Sequence, residues 1–396
     1  MPSAPTSPHT PSTRLVSLDV FRGLTIAGMI LVTDPGTYSA VYPQLRHAEW
    51  MGATATDMIF PSFLFIVGVA ITLSFSSRIA RGEDRRRLAG HVLVRAVILF
   101  LLGLAVNGFP DYNWHTLRLP GILQRIAVCY LCAGLLYLFA SKPKQQESAS
   151  PATPRVILFA TLIIGLLALY WALLRWVPVP GLGAGRLDSY GNLPAYIDRT
   201  LIGTRHMWPW GLTPGMGVTY DSEGFLSTLP ALTNLLIGVL TGEWMRTQQS
   251  GEKKAIALAL AGLALLLAGW FLSPLLPLNK RIWTSTFALF SSGISLLLFS
   301  FFYVVVDLYR SRWWTPPALV LGTNAILAFA LSSVITTLSD RLHISGGSLT
   351  LHQAGQQLFA SWLSPIHASL TYAIAIVLLN IAIIVPLYRK RIFLKI

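Results

Sequence analysis

The sequence predicts an all-α, polytopic membrane protein of about ten transmembrane helices, with both termini cytoplasmic. Three observations carry that reading. Of 396 residues, 54% are hydrophobic and only 12% charged, with a mean hydropathy of +0.60; a soluble globule has about twice that charged share. Apolar runs bounded by charge or by Gly and Pro recur at 16–33, 57–77, 91–108, 121–140, 156–176, 224–245, 255–273, 283–306, 317–338 and 367–388, close to the ~20 residues that cross a ~30 Å hydrocarbon core. Basic residues crowd alternate loops: Arg78, Arg81, Arg85, Arg86 and Arg87; Lys142, Lys144 and Arg155; Arg246, Lys253 and Lys254; Arg310 and Arg312; Arg389, Lys390, Arg391 and Lys395. Cytoplasmic loops of membrane proteins carry such an excess.

That asymmetry also accounts for the net charge of +14. Basic loops meet anionic lipid, so lipid is an expected partner and nucleic acid is not. Residues 1–12, rich in Pro, Ser and Thr without a basic or apolar signal segment, read as a disordered cytoplasmic tail ahead of one transmembrane domain over 13–396. Cys129 and Cys132 lie three apart on one apolar helix and are expected to pack; no His/Cys group has zinc spacing, and no metal is expected. Neither a dinucleotide fingerprint nor a phosphate-binding loop is present, which argues against nucleotide hydrolysis.

The first span ends at Thr33-Asp34, and the segment to the second span holds Asp34, His47, Glu49 and Asp57. Apolar surroundings penalise that density of ionisable groups. A histidine exchanges protons near neutral pH, and a neighbouring carboxylate fixes its tautomer. His47 is therefore the candidate base, with Asp57 or Glu49 to orient it; the competing reading is a loop histidine packed on Trp50 or solvated. Within the first span, Asp19 and Arg22 share a helical face. They form an intrahelical ion pair, or Arg22 with Arg14 grips a phosphorylated ligand arriving from the cytoplasm. In the fourth span Arg125 follows Gln124 and is expected to pair with a carboxylate, Asp57 being one candidate.

The outward segment 177–223 is much longer than the other loops and carries Asp188, Tyr190, Tyr196, Asp198, Trp208, Trp210, Tyr220, Asp221 and Glu223. Such a mixture suits an amino sugar, with rings for stacking and acceptors for hydroxyls and an ammonium; an interfacial aromatic belt would look the same. Arg125, Asp221, Glu223, Asn279 and Lys280 form the expected acceptor set, although Asn279-Lys280-Arg281 also reads as a plain polar hairpin. Asn324, after Gly322-Thr323, is a buried amide that packs spans together or joins Arg14, Asp19 and Arg22 in a cofactor site. His206, His343, His352 and His367 lack catalytic spacing and are expected to be solvated.

These residues resemble a known family. Arg14-x-x-Ser17-Leu18-Asp19-x-Phe21-Arg22-Gly23 is similar to its opening motif, and His47-Ala48-x-Trp50-x-Gly52 with Asp57-x-x-Phe60-Pro61 to its next segment. Leu119-Pro120-Gly121-Ile122-Leu123-Gln124-Arg125, Tyr196-Ile197-Asp198-Arg199, Tyr220-Asp221-Ser222-Glu223-Gly224, Pro277-Leu278-Asn279-Lys280-Arg281-Ile282-Trp283 and Gly322-Thr323-Asn324-Ala325 continue the resemblance in order. The family is the heparan-α-glucosaminide N-acetyltransferases and their bacterial relatives, among the transmembrane acyltransferases. The resemblance implies acetyl-CoA bound from the cytoplasm and an acetyl group passed to a glucosamine amine across the membrane, with His47 as the catalytic residue. It further suggests a bacterial cytoplasmic (inner) membrane location and a homodimer. Where family members often carry Asn after the first span, this chain has Thr33-Asp34. The animal enzymes carry an extra luminal domain ahead of this core, so the expected acceptor is a bacterial amino sugar. Two alternatives stay open: O-acetylation of an envelope glycan, and sugar transport without chemistry.

Overall fold

The computed structural model describes residues 15–141, 153–344 and 347–393. The segment 1–12, Arg14, Lys142, Lys144 and Lys395 lie outside the described residues. The chain runs through α1 (Val16–Thr33), α2 (Ile59–Ala80), α3 (Arg85–Gly108), α4 (Ile122–Ala140), α5 (Thr153–Trp176), the short α6 (Leu193–Ile202), α7 (Thr228–Met245), α8 (Gly251–Phe271) and α9 (Ser285–Phe302). It closes with α10 (Pro316–Thr323), α11 (Ala325–Arg341), α12 (Leu351–Ala360) and α13 (Pro365–Arg389). Polar residues start many of these helices: Asp84, Asn192, Ser250, Thr284 and Thr350 each accept a backbone N–H of the first turn.

Eight of these helices are long and apolar enough to cross a membrane, and the pair α10–α11 makes nine if counted as one span. The expected span 224–245 is α7, which falls outside that set because Thr233, Asn234, Thr241 and Glu243 lower its apolarity, and most of its residues are buried in protein. Its Asn234 is fully buried, accepting from the Trp283 indole at 2.9 Å and donating to Ser292 Oγ at 2.8 Å. A helix sheathed by other helices does not need an apolar surface toward lipid.

The α2–α7 crossing forms the centre of the bundle, and glycines bring the two backbones together. A Cβ on Gly68 would lie 1.9 Å from the Leu235 carbonyl oxygen, and one on Gly238 2.1 Å from that of Phe65. Close contact between small residues is a main source of helix association where no water is released. Phe65, Ile66, Val69, Leu235, Leu236 and Val239 pack around this seam.

The expected single span 317–338 is broken. α10 and α11 meet at 88° across Asn324, whose φ of −124° and ψ of 41° leave the helical region. α10 is instead pressed on α1, where a Cβ on Gly322 would meet the Asp19 carbonyl at 2.1 Å. The segment 177–223 is likewise structured: it contains the amphipathic α6 and a small antiparallel ribbon, β1 (Leu212–Thr213) with β2 (Gly217–Val218). α12, a further short amphipathic helix, was not among the expected elements.

Candidate active site

The site is assembled where the segment before α2, the turn between α8 and α9, and the end of the 177–223 segment meet. Gly52 donates its N–H to the Leu278 carbonyl at 2.7 Å and forms a parallel bridge with Asn279. Trp50 donates its indole N–H to the Leu187 carbonyl at 2.7 Å and sits edge-on to Tyr220 at 4.9 Å. Those contacts fix the loop that carries His47 between the two other strands of chain.

Asp57 is 1% exposed, at the entrance to α2. Its Oδ1 lies 2.6 Å from His47 Nδ1. Its Oδ2 accepts from the Thr54 N–H at 2.9 Å, the Thr54 hydroxyl at 3.1 Å and the Ala48 N–H at 3.2 Å. A carboxylate so held leaves one orientation for the ring, with the proton on Nδ1 and the lone pair on Nε2. Nε2 has no hydrogen-bond partner among the described residues, and 37% of the His47 side chain remains accessible. The positive charge of Lys280, followed by burial, lowers the His47 pKa to about 4, against the upward pull of Asp57. The imidazole is therefore neutral at physiological pH.

Glu49 is exposed and makes no contact with the ring; of the two expected carboxylates, Asp57 is the one that meets it. Arg125, fully enclosed, does not pair with Asp57. Its guanidinium donates to the Gly224 carbonyl at 3.1 Å and to Ser227 Oγ at 2.5 Å, and lies over the Trp283 ring at 5.0 Å. Asn279 is also turned inward: its Oδ1 accepts from the Ile282 N–H at 3.1 Å and closes the turn, and its Nδ2 faces Met51 Sδ at 3.6 Å. It shapes the site from behind.

Asp221 and Glu223 are buried and share Arg118, a residue outside the expected set. Arg118 donates to Asp221 at 2.9 and 2.5 Å and to Glu223 at 2.5 Å. Burial opposes the charge of Glu223, but Arg118 and then Lys280 keep its pKa low. Two buried carboxylates two residues apart require a cation, and Arg118, which directly precedes the Leu119-Pro120-Gly121 motif, supplies it; the requirement follows only from their burial. Arg281 lies over the Trp208 ring at 4.9 Å, with Arg118 5.9 Å from the same ring. Lys280 is 9% exposed, and its ammonium makes no hydrogen bond or ion pair among the described residues.

At the other end of α1, Asp19 and Arg22 form the intrahelical pair at 3.5 Å, and Arg22 also donates to the Gly322 carbonyl at 3.1 Å. Asn324 Nδ2 donates to the Ile392 carbonyl at 3.4 Å. Arg22 keeps 24% of its side chain accessible, and Ser17 Oγ is buried with no hydrogen-bond partner among the described residues.

All four histidines expected to be solvated make a hydrogen bond; His343 and His367 are exposed, whereas His206 and His352 are part-buried. His206 Nδ1 faces the Leu117 carbonyl at 2.8 Å. His352 has Asp340 at 2.6 Å on Nδ1 and the Gly36 carbonyl at 3.0 Å on Nε2, and stacks on Tyr372 at 4.8 Å. Both lie in segments whose tertiary partners are distant in sequence. Asp34 is buried and accepts from the Thr336 hydroxyl; burial raises its pKa to about 6.

Fold and site define a class: a helical, multi-pass membrane protein with a carboxylate-oriented imidazole seated at one end of its bundle. Residues 14–270 match the family described as Heparan-alpha-glucosaminide N-acetyltransferase, catalytic, and the chain belongs to that family. It is 30% identical to Heparan-alpha-glucosaminide N-acetyltransferase from Homo sapiens over 350 residues, 80% of this chain and 52% of the relative. The protein of the same description from Mus musculus is 28% identical over 84% of the chain and 55% of the relative. An uncharacterized 39.9 kDa protein in the amylase 3' region of Bacillus acidopullulyticus is 28% identical over 49% of the chain and 52% of the relative. The chain thus spans about half the length of the curated relatives it matches.

Proposed function

We propose that the protein is a transmembrane N-acetyltransferase that moves the acetyl group of cytoplasmic acetyl-CoA to the amine of glucosamine or a related amino sugar on the opposite face. The observation that carries this reading is His47 Nδ1 at 2.6 Å from a buried, threefold-held Asp57, with Nε2 left available. That is the geometry of a general base. Membership of the acetyltransferase family supplies the reaction class.

Acetyl-CoA, as co-substrate, supplies the thioester carbonyl. His47 Nε2 takes the proton from the attacking amine, and Asp57 stabilises the imidazolium that forms. Trp50, Trp208 and Tyr220, packed edge to face, offer rings against which a sugar stacks. Asp221 and Glu223, already engaged by Arg118, hold the acceptor side rigid. At the far end, Arg22, Asp19, Asn324 and Ser17 are assigned to the coenzyme, together with Arg14. The basic residues Arg78, Arg246, Arg312 and Arg389, at that same end, support a cytoplasmic assignment for it.

Purified protein given labelled acetyl-CoA and glucosamine should form N-acetylglucosamine. An alkali-labile O-acetyl product would favour glycan O-acetylation instead, and uptake of unmodified sugar without acetylation would favour a transporter. A His47 peptide carrying the acetyl group, formed at a competent rate without sugar, would replace direct transfer by a covalent intermediate.

A further inference from the structure

Fixed charges of both signs meet at the acceptor end. Arg118, Arg125, Lys280 and Arg281 face Asp57, Asp221 and Glu223, and burial raises the pKa of nearby Asp198 to about 7. Three of the cations are committed. Arg118 is bound to Asp221 and Glu223, Arg125 to Gly224 and Ser227, and Arg281 lies over Trp208. Lys280 and Arg281 make no hydrogen bond among the described residues, but Arg281 is held over Trp208, whereas Lys280, nearly buried, has neither a hydrogen bond, an ion pair nor a ring partner there. The bridge between Gly52 and Asn279 and the bond from Gly52 N–H to Leu278 hold its turn against the His47 loop.

We propose that Lys280 is the electrostatic group of the transfer step: its ammonium disfavours a protonated acceptor amine beside His47 and faces the oxygen that becomes negative as nitrogen adds to the thioester carbon. This rests on the acetyltransferase reading and assigns within it a role that His47 and Asp57 do not fill. The amine lone pair forms the C–N bond, and the carbonyl π pair moves to oxygen beside Lys280. The amine proton passes to His47 Nε2. As the oxygen lone pair returns, the C–S bond breaks, and the thiolate takes the proton from His47. A preorganised cation in a site screened from water stabilises such an oxyanion strongly, and an unpaired one needs no rearrangement to do so.

The groups that face His47 are Asp57 at the start of α2 and Lys280 and Arg281 from the α8–α9 turn; Glu49, in the same loop, is exposed. Beyond Lys280 stand Glu223, Arg118, Asp221 and Arg125. Removing the Lys280 charge should therefore raise the His47 pKa whether or not any acetyl group is transferred, and this separates the inference from the activity it rests on.

The test labels His47 in the full chain with diethyl pyrocarbonate, which reacts with neutral imidazole, and quantifies the modified peptide from pH 5.5 to 8. In the wild type and in Lys280→Arg the rate should be flat across that range. In Lys280→Met it should fall several-fold at pH 5.5. In turnover assays Lys280→Met should lose about 10²-fold in kcat with little change in the KM for acetyl-CoA, and Lys280→Arg should restore a large part of it. Should Lys280→Met not fold, Lys280→Gln, which keeps a polar head, carries the same measurements. A flat labelling profile in the neutral variant, or kcat unchanged from wild type, overturns the proposal. If no variant and no wild type acetylates an amine, the labelling profile still decides the electrostatic claim and the failure belongs to the proposed activity.

Discussion

His47 and Asp57 behave as one unit, since neither position has meaning without the other. Asp57→Asn would leave the ring in place and free its tautomer, because an amide offers either an oxygen or an N–H to Nδ1. Both Asp57→Asn and His47→Ala should lower kcat by about 10²–10⁴-fold while acetyl-CoA binding is largely retained, as checked by steady-state kinetics and by titration of the coenzyme. The pair was readable from the chain as a histidine among carboxylates. The choice between Glu49 and Asp57 was not, because it depends on a turn in which Thr54 and Ala48 direct their N–H groups to one carboxylate. Arg118 was overlooked for a related reason: it matters only once Asp221 and Glu223 are known to be buried together. Asn279 looked like a ligand because it is polar and beside Lys280, but its amide completes the turn that presents Lys280.

At the scale of elements, the α2–α7 seam positions the site, because Asp57 enters α2 and Glu223 leads into α7. Gly68→Leu should disrupt that seam, since even a Cβ there would lie 1.9 Å from the Leu235 carbonyl oxygen. A backbone atom cannot move aside as a side chain does. The expected outcome is a fall of several degrees or more in the midpoint of thermal unfolding in detergent, or failure to assemble, with overpacking alone costing about 1–3 kcal/mol. Gly90→Leu, on an open face of α3 where nothing lies within 4 Å of a Cβ, should behave like wild type. Most helices were legible because lipid imposes length and apolarity on them. The α10–α11 break was hidden because each half is apolar, so a window of hydropathy runs across Asn324 without interruption. α6 and α12 were missed because short amphipathic helices carry no membrane signal.

For the whole molecule, two buried acids outside the spans set a common dependence on pH. Asp198 has a folded pKa of about 7 and Asp34 of about 6, both raised by burial from 3.8. Each therefore favours the fold in its neutral form: the contribution is complete below about pH 4 and is lost as pH rises through 6 to 7. Thermal stability in detergent should decline over that window, and Asp198→Asn should flatten the upper part of the decline; a rise in wild-type stability from pH 5 to 8 would contradict this assignment. The crowding of basic residues on alternate loops was legible in the sequence, because those loops lie between recognisable spans. What the chain alone could not reveal is the cluster of cations gathered at the opposite end, since Arg118 and Arg125 come from one segment and Lys280 and Arg281 from another, far along the chain.

The central claim is that a base on one face completes a transfer begun by a thioester from the other. The measurement that bears on it most directly uses oriented proteoliposomes with acetyl-CoA confined to the face bearing Arg78, Arg246 and Arg389, and glucosamine confined to the other. Wild-type protein should produce N-acetylglucosamine on the glucosamine side, and His47→Ala should reduce that product at least a hundredfold. Product formed only when both substrates share one side, or undiminished product from His47→Ala, would contradict the account.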